Sequence, residues 1–380
     1  MSSILPRSQF IPLFALLLLH FAPAEIQGQN EGNLYASRFQ PPGMWIWDNW
    51  FVHDGDQWHA FYLQVPKAIG KERRWKNNDL FKHVGHATAK EAPTGQFEWK
   101  NSGPALFALP GTWNDRHIAT GSIIRHEGKW WQFFTGRGIN GDGVGLALSD
   151  DLNKWNTEPA PLIPLIDTFA ETAEAPYESV WQGETRHWAG ISDPYIYPKP
   201  VDGWFYLVLC SRILDVPIEE SGCLTLMRSQ DLKNWESAGI MAWPRCFERM
   251  ETPQLLHRPD GNWSLIFGGV VNSDWAKQKE NQHAFPDAVR GKGSHKNYVY
   301  HFPTEFLVPA KDEHLHHIAT PPGHYYIMKV ISLKDTPDRS DLAFFTATEP
   351  DRGSVLSEPF RVKHLPEGGI ELVRIQTESE

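Results

Sequence analysis

Cysteine is scarce in this chain: 3 residues in 380. They are Cys210, Cys223 and Cys246, and no metal-ligand spacing joins them. A disulfide-built or zinc-built scaffold is therefore excluded. Two readings of the thiols stay open. Cys210 and Cys223 close a loop short enough for a hairpin staple, leaving Cys246 free, or all three are buried thiols. Basic charge is also short, with 36 Lys and Arg against 46 Asp and Glu, a formal net charge of -10. Nucleic acid and anionic membrane surfaces both require a basic face, so neither is expected as a partner. Long apolar runs are missing beyond the N-terminus. There, Arg7 precedes an apolar stretch from Phe10 to Ala22, and Ala22-Pro23-Ala24 offers a small-x-small cleavage site. This pattern predicts an export signal over residues 1–24 and a secreted or periplasmic protein. No sustained helical period follows it.

Aromatic residues are abundant: 17 Trp, 21 Phe and 10 Tyr. Most must fill a core, and a few are available to stack on sugar faces. The aromatic residues recur in a phrase of turn residues followed by an aromatic strand. It reads Asp54-Gly55-Asp56-Gln57-Trp58, then Glu127-Gly128-Lys129-Trp130, then Asp202-Gly203-Trp204, then Asp260-Gly261-Asn262-Trp263. A second phrase follows, clearest in Asp151-Leu152-Asn153-Lys154-Trp155 and Asp231-Leu232-Lys233-Asn234-Trp235. A repeat of roughly 60–75 residues built of short strands and Gly/Asp turns predicts four-stranded blades around an axis. The fold class is all-β, a five-bladed β-propeller over residues 35–375, with the segment from Asn297 to Lys363 closing the ring. A β-sandwich is the runner-up, but it does not explain the paired phrases.

Three acids stand at related places in this repeat: Asp48 in Trp47-Asp48-Asn49, Asp193 in Ser192-Asp193-Pro194, and Glu251 in Glu251-Thr252-Pro253. Equivalent positions on blades one, three and four converge on the axis. One carboxyl group to protonate a leaving oxygen, and another to attack or activate water, is what cleavage of a glycosidic bond requires. A third holds the sugar and tunes the other two. Trp47, Trp113, Asp115, Arg116 and Ser122 are candidates to line the pocket. His314, His316, His317 and His324 have no rigid metal spacing. No cofactor or metal is implied.

These stretches resemble the five-bladed glycosidases of glycoside hydrolase families 32, 68 and 43. Family 32 is closest in motif. Trp45-Ile46-Trp47-Asp48-Asn49 resembles its nucleophile motif, and Ala119-Thr120-Gly121-Ser122 its second-blade motif. Ser192-Asp193-Pro194 and Glu251-Thr252-Pro253-Gln254-Leu255 resemble its Arg-Asp-Pro and Glu-Cys-Pro-Asp-Leu motifs. The resemblance implies Asp48 as nucleophile, Glu251 as general acid, Asp193 as sugar ligand, and an oligo- or polysaccharide substrate with terminal furanosyl units. Likeness to family 43 implies an inverting enzyme of arabinofuranosidase or xylosidase type. A carbohydrate-binding propeller without turnover is the reading from another class. Ser192 stands where family 32 has arginine, and Arg116, Arg186 and Arg212 are the candidates to replace it. No C-terminal β-sandwich is expected after the fifth blade.

Overall fold

The computed structural model describes residues 38–70, 82–90, 96–138, 141–164, 191–213, 216–279, 285–303, 305–306, 309–333, 341–349 and 353–375. The expected export signal and Arg186 lie outside them. The described strands form five antiparallel sheets. Blade one contains Met44–His53, Trp58–Pro66, His83–Ala89 and Lys100–Phe107. Blade two runs through His117–His126, Lys129–Gly138, Gly141–Ser149 and Asn156–Thr157, with Ile163–Pro164 also pairing its third strand. Blade three holds Ser192–Ile196, Phe205–Arg212, Gly222–Ser229 and Glu236–Ala242. Blade four has Arg249–His257, Trp263–Val270, Lys296–Phe302 and Leu315–Ile318. Blade five has His324–Ser332, Asp341–Glu349, Phe360–His364 and Ile370–Arg374, with Gly353–Leu356 on its second strand. The first strands of the five blades touch one another in a closed circuit, which defines the axis.

Side-chain alternation explains why blades stack. Successive residues of a strand point to opposite sheet faces. In the second strand of blade three, Phe205, Leu207 and Leu209 pack against blade two. Tyr206 and Val208, between them, pack against blade four. In blade one, Phe61 and Leu63 face blade two, while Ala60 and Tyr62 face blade five. Such strands are buried on both faces and read as continuous apolar runs. Among the described residues, each junction between neighbouring blades has its own apolar cluster, including the one from blade five back to blade one.

The two sequence phrases have separate structural jobs. The first is the hairpin between strands one and two. Glu127-Gly128 and Asp202-Gly203 have positive φ at both residues (49° and 79°, 50° and 81°), as the tight type I′ hairpin requires. The second is the turn between strands three and four. The Asp side chain caps it, accepting backbone N–H groups of Asn153 and Lys154 in one copy and of Lys233 and Asn234 in the other. The turn then throws its Trp onto the preceding blade. Trp155 meets Phe61 edge-on at 5.9 Å and Trp235 meets Phe133 at 5.8 Å.

One expectation is corrected here, and of the two open readings of the thiols the buried trio holds. Tyr298–Phe302 belongs to blade four, not blade five, because the Trp263 phrase opens a second strand and two more must follow. The Cys210–Cys223 staple does not form, and all three cysteines are buried and free. Cys223 lies opposite Ser211 while Cys210 lies opposite Leu224. One residue of register puts the two thiols on opposite faces of the sheet.

The ring is closed by residues 38–40. Phe39 exchanges both backbone hydrogen bonds with Leu356 (3.0 and 2.8 Å). Arg38 donates to Glu358 at 2.6 Å, Glu349 at 3.1 Å and the Tyr325 hydroxyl at 3.1 Å. A partly buried guanidinium shared by two carboxylates is a strong clasp.

Candidate active site

Every blade interrupts its first strand at the same level. The pairing registers skip between Trp47 and Trp50, Ile118 and Gly121, Ser192 and Tyr195, Glu251 and Gln254, and Tyr326 and Met328. Such bulges re-aim side chains and cluster beside functional sites. Asp48 and Asp193 are first bulge residues and hold left-handed backbone, with φ of 48° and 52°. Asp tolerates that region better than most residues, which accounts for its use at both places.

Glu251 is not their register equivalent. Thr252 takes the left-handed position in blade four, with φ of 45°. Glu251 is the last paired residue before the bulge, the place held by Trp47 in blade one and Ser192 in blade three. It reaches the same space from one residue upstream. The expectation of three equivalent positions is thus corrected to two plus an offset third.

The three carboxyl groups nevertheless share one buried environment. Burial pushes Asp48 up to about 7, and the charges of Asp193 and then Glu251 add to the effect. Only the Thr120 hydroxyl, donating to Asp48 Oδ2 at 2.7 Å, and the more distant Lys82 charge oppose it. Asp48 Oδ1 accepts no hydrogen bond among the described residues. Asp193 is raised by burial and by Glu251, and is held back by the Thr252 N–H at 3.0 Å, Lys329 and Arg249. Glu251 Oε2 accepts the Tyr326 hydroxyl at 2.6 Å, and Oε1 pairs with Arg249 at 3.0 Å. Burial, and then the charges of Glu251 and Asp48, raise the Tyr326 hydroxyl well above its usual range.

The other expected site residues fall differently. Ser122 is buried, and its hydroxyl donates to Pro194 O (2.7 Å) and accepts from Ile196 N (2.9 Å). It fastens blade two to blade three, and its one donor is spent on Pro194. Trp113 is 5% exposed, stacks near Phe134 at 5.9 Å, and gives its indole N–H to Glu158 O. Its ring occupies the space where Gly136 and Gly145 lack a Cβ. In this structure the contacts of both residues are structural. Trp47 is buried in the cluster between blades one and two. Asp115 is half-buried and Arg116 exposed in the loop entering blade two. Arg212 is buried and pairs with Glu248 at 3.6 Å. The guanidinium that touches a candidate carboxylate is instead Arg249, which sequence reasoning passed over.

Thr120, Arg249, Tyr326 and Lys329 were all missed. Their signal is positional: each lies at or beside a blade's first-strand bulge. No group of His, Cys, Asp and Glu among the described residues is arranged to hold a metal ion.

Asp48 supplies a pH test. A carboxylate that attacks or activates water must be ionised. The acid limb of kcat/KM is expected near pH 7, far above the ordinary Asp range, with activity rising as pH rises through it. Thr120→Val removes a donor to the ionised form and should move that limb up by about 1 unit. A limb near pH 4 in both proteins contradicts this.

No family profile and no curated protein sequence matches the chain. Its fold is shared with solved structures. A glycoside hydrolase family 32 β-fructofuranosidase from Bombyx mori superposes with TM-score 0.62 at 16% identity, covering 87% of this chain and 63% of that one. A Schwanniomyces occidentalis fructofuranosidase complexed with fructose gives 0.62 at 15%, covering 90% and 63%. A β-xylosidase gives 0.56 at 15%, covering 87% and 95%. The chain therefore spans less than two thirds of the length of the fructofuranosidases it is similar to. The shared class is the five-bladed β-propeller fold.

Proposed function

We propose that this chain is an exported glycoside hydrolase that cleaves terminal furanosyl, fructosyl-like units from oligo- or polysaccharides. The observation that carries the reading is that Asp48, Asp193 and Glu251 stand at or next to the first-strand bulges of blades one, three and four, with Asp193 bonded to the Thr252 N–H beside Glu251 and the three charges acting on one another. Asp48 acts on the anomeric carbon, Glu251 protonates the leaving oxygen, and Asp193 binds sugar hydroxyls and holds the other two in register. Three carboxyl groups held close together are costly even with Arg249 paired to Glu251, and catalysis is a common reason for keeping such a cluster. The fold neighbours that carry glycosidase names support the same class.

A second reading has its own support. A general base works best with a pKa near the operating pH. Asp48, pushed to about 7, fits a base that activates water, as in an inverting enzyme of family 43 type. Proton NMR of the sugar first released decides between them. Retained anomeric configuration supports attack by Asp48, and inverted configuration supports water activation. Export rests on the residue 7–24 pattern. Mass spectrometry of protein from the native host should find a mature N-terminus just after Ala24, and an intact Met1 contradicts it.

A further inference from the structure

Lys329 lies in the first strand of blade five, 5% exposed. Its Nζ donates to Thr252 O at 2.7 Å and Pro253 O at 2.8 Å. These are the two residues of the blade-four bulge, which have no partners in the pairing register. Buried carbonyls need donors. Lys329 supplies them from the neighbouring blade, with its ammonium 5.7 Å from the centre of the Tyr195 ring. The same bulge aims the Thr252 N–H at Asp193 and carries Glu251 immediately before it.

The lysine is locked on both sides. Gln254 pairs with Val330 twice, Nε2 to Val330 O at 2.6 Å and Val330 N to Oε1 at 2.7 Å. Met328 N donates to Asn297 Oδ1 at 2.9 Å. Gln254 shows that an uncharged amide suffices to stitch blade four to blade five. One residue away the chain uses an ammonium instead. Burying that charge is expensive unless negative charge faces it. Burial pulls the Lys329 ammonium down to about 7, and the charges of Asp193 and Asp48 offset part of that loss. Glu251 and Arg249 sit on the facing strand as an ion pair.

We infer that Lys329 is a positioning residue for the reaction: it fixes the bulge that presents Glu251 and the Thr252 N–H, and its buried amine lies across Thr252 from Asp193. The kinetic part rests on the glycosidase reading, while the electrostatic part does not. Lys329→Gln keeps a donor and removes the charge, and Lys329→Met removes both.

The test compares both variants with wild type by kcat, KM, pH profile and thermal midpoint. Expected is a kcat loss of about 10²-fold in Lys329→Met with KM changed less than about threefold, since a misplaced group costs rate more than binding. In Lys329→Gln the acid limb should move up by about 1 pH unit. Carbon-13 NMR titration of the Asp193 carboxyl, needing no substrate, should show its midpoint raised by a similar amount in Lys329→Gln. An unmoved Asp193 midpoint overturns the inference even if the enzyme is active. An inactive wild type whose Asp193 midpoint does shift rejects the glycosidase reading and keeps the electrostatic role. Should Lys329→Met fail to fold, the Lys329→Gln titration alone decides.

Discussion

Asp48→Asn should stop sugar release and make the protein harder to melt. Loss of the group that attacks or activates water is expected to lower kcat/KM by at least about 10³-fold. The stability gain follows from linkage. The unfolded Asp ionises near 3.8 and the folded one near 7. Between those values the folded state holds a proton that the unfolded state has released. The Asp48 contribution to stability is therefore most favourable below pH 4, falls as pH rises through that window, and its cost is complete above about 7. Asn removes the titration and keeps the shape. Thr120 can still donate to the amide oxygen. At pH 8 the gain is at most about 4 kcal/mol, since each pKa unit is about 1.36 kcal/mol and relaxation takes its share. At pH 4 it should nearly vanish. Calorimetry at both pH values reads this directly. A variant that melts lower at pH 8 removes Asp48 from the strained centre.

The second large effect is Glu251→Gln. A general acid matters most when the leaving group is basic. With an ordinary sugar alkoxide leaving, kcat should fall by about 10³-fold. With an activated aryl glycoside, whose phenolate leaves unaided, the loss should shrink to about tenfold or less. The dependence on leaving group separates loss of a proton donor from loss of binding. Uniform loss across leaving groups assigns Glu251 to substrate binding instead. Glu251 also accepts from Tyr326 and Arg249. Gln turns an NH₂ toward one of them, so the melting profile should accompany the kinetics.

Much of this arrangement was legible in the residues, because repeats are legible. The Gly-Trp phrases marked hairpins, since only certain residues tolerate left-handed turns, and Glu127-Gly128 and Asp202-Gly203 are such pairs. The Asp-Leu-x-x-Trp phrases marked turns that dock on the preceding blade. Blade five carries neither phrase, so its start was placed too early. Asp48 and Asp193 were singled out because they stand at related places in the repeat, and both take the left-handed first position of a bulge. Glu251 was found by motif but misplaced in register, because a bulge of two residues hides which residue turns inward. Ser122 and Trp113 pose a different difficulty. A polar or aromatic side chain near a motif serves a ligand or a neighbouring strand with the same chemistry, and only packing separates the two. Ser122 is spent on Pro194 and Ile196. Lys329 and Tyr326 were invisible because their partners lie in blade four, some 75 residues away in sequence.

The central claim is that the carboxylate space on the axis breaks glycosidic bonds. The direct measurement is sugar release by purified wild type from sucrose, inulin, levan, arabinan and xylan fragments, with Asp48→Asn alongside. Wild type should release sugar from at least one of these, and the variant at least about 10³-fold less. No release from any of them, or equal release by both proteins, contradicts it.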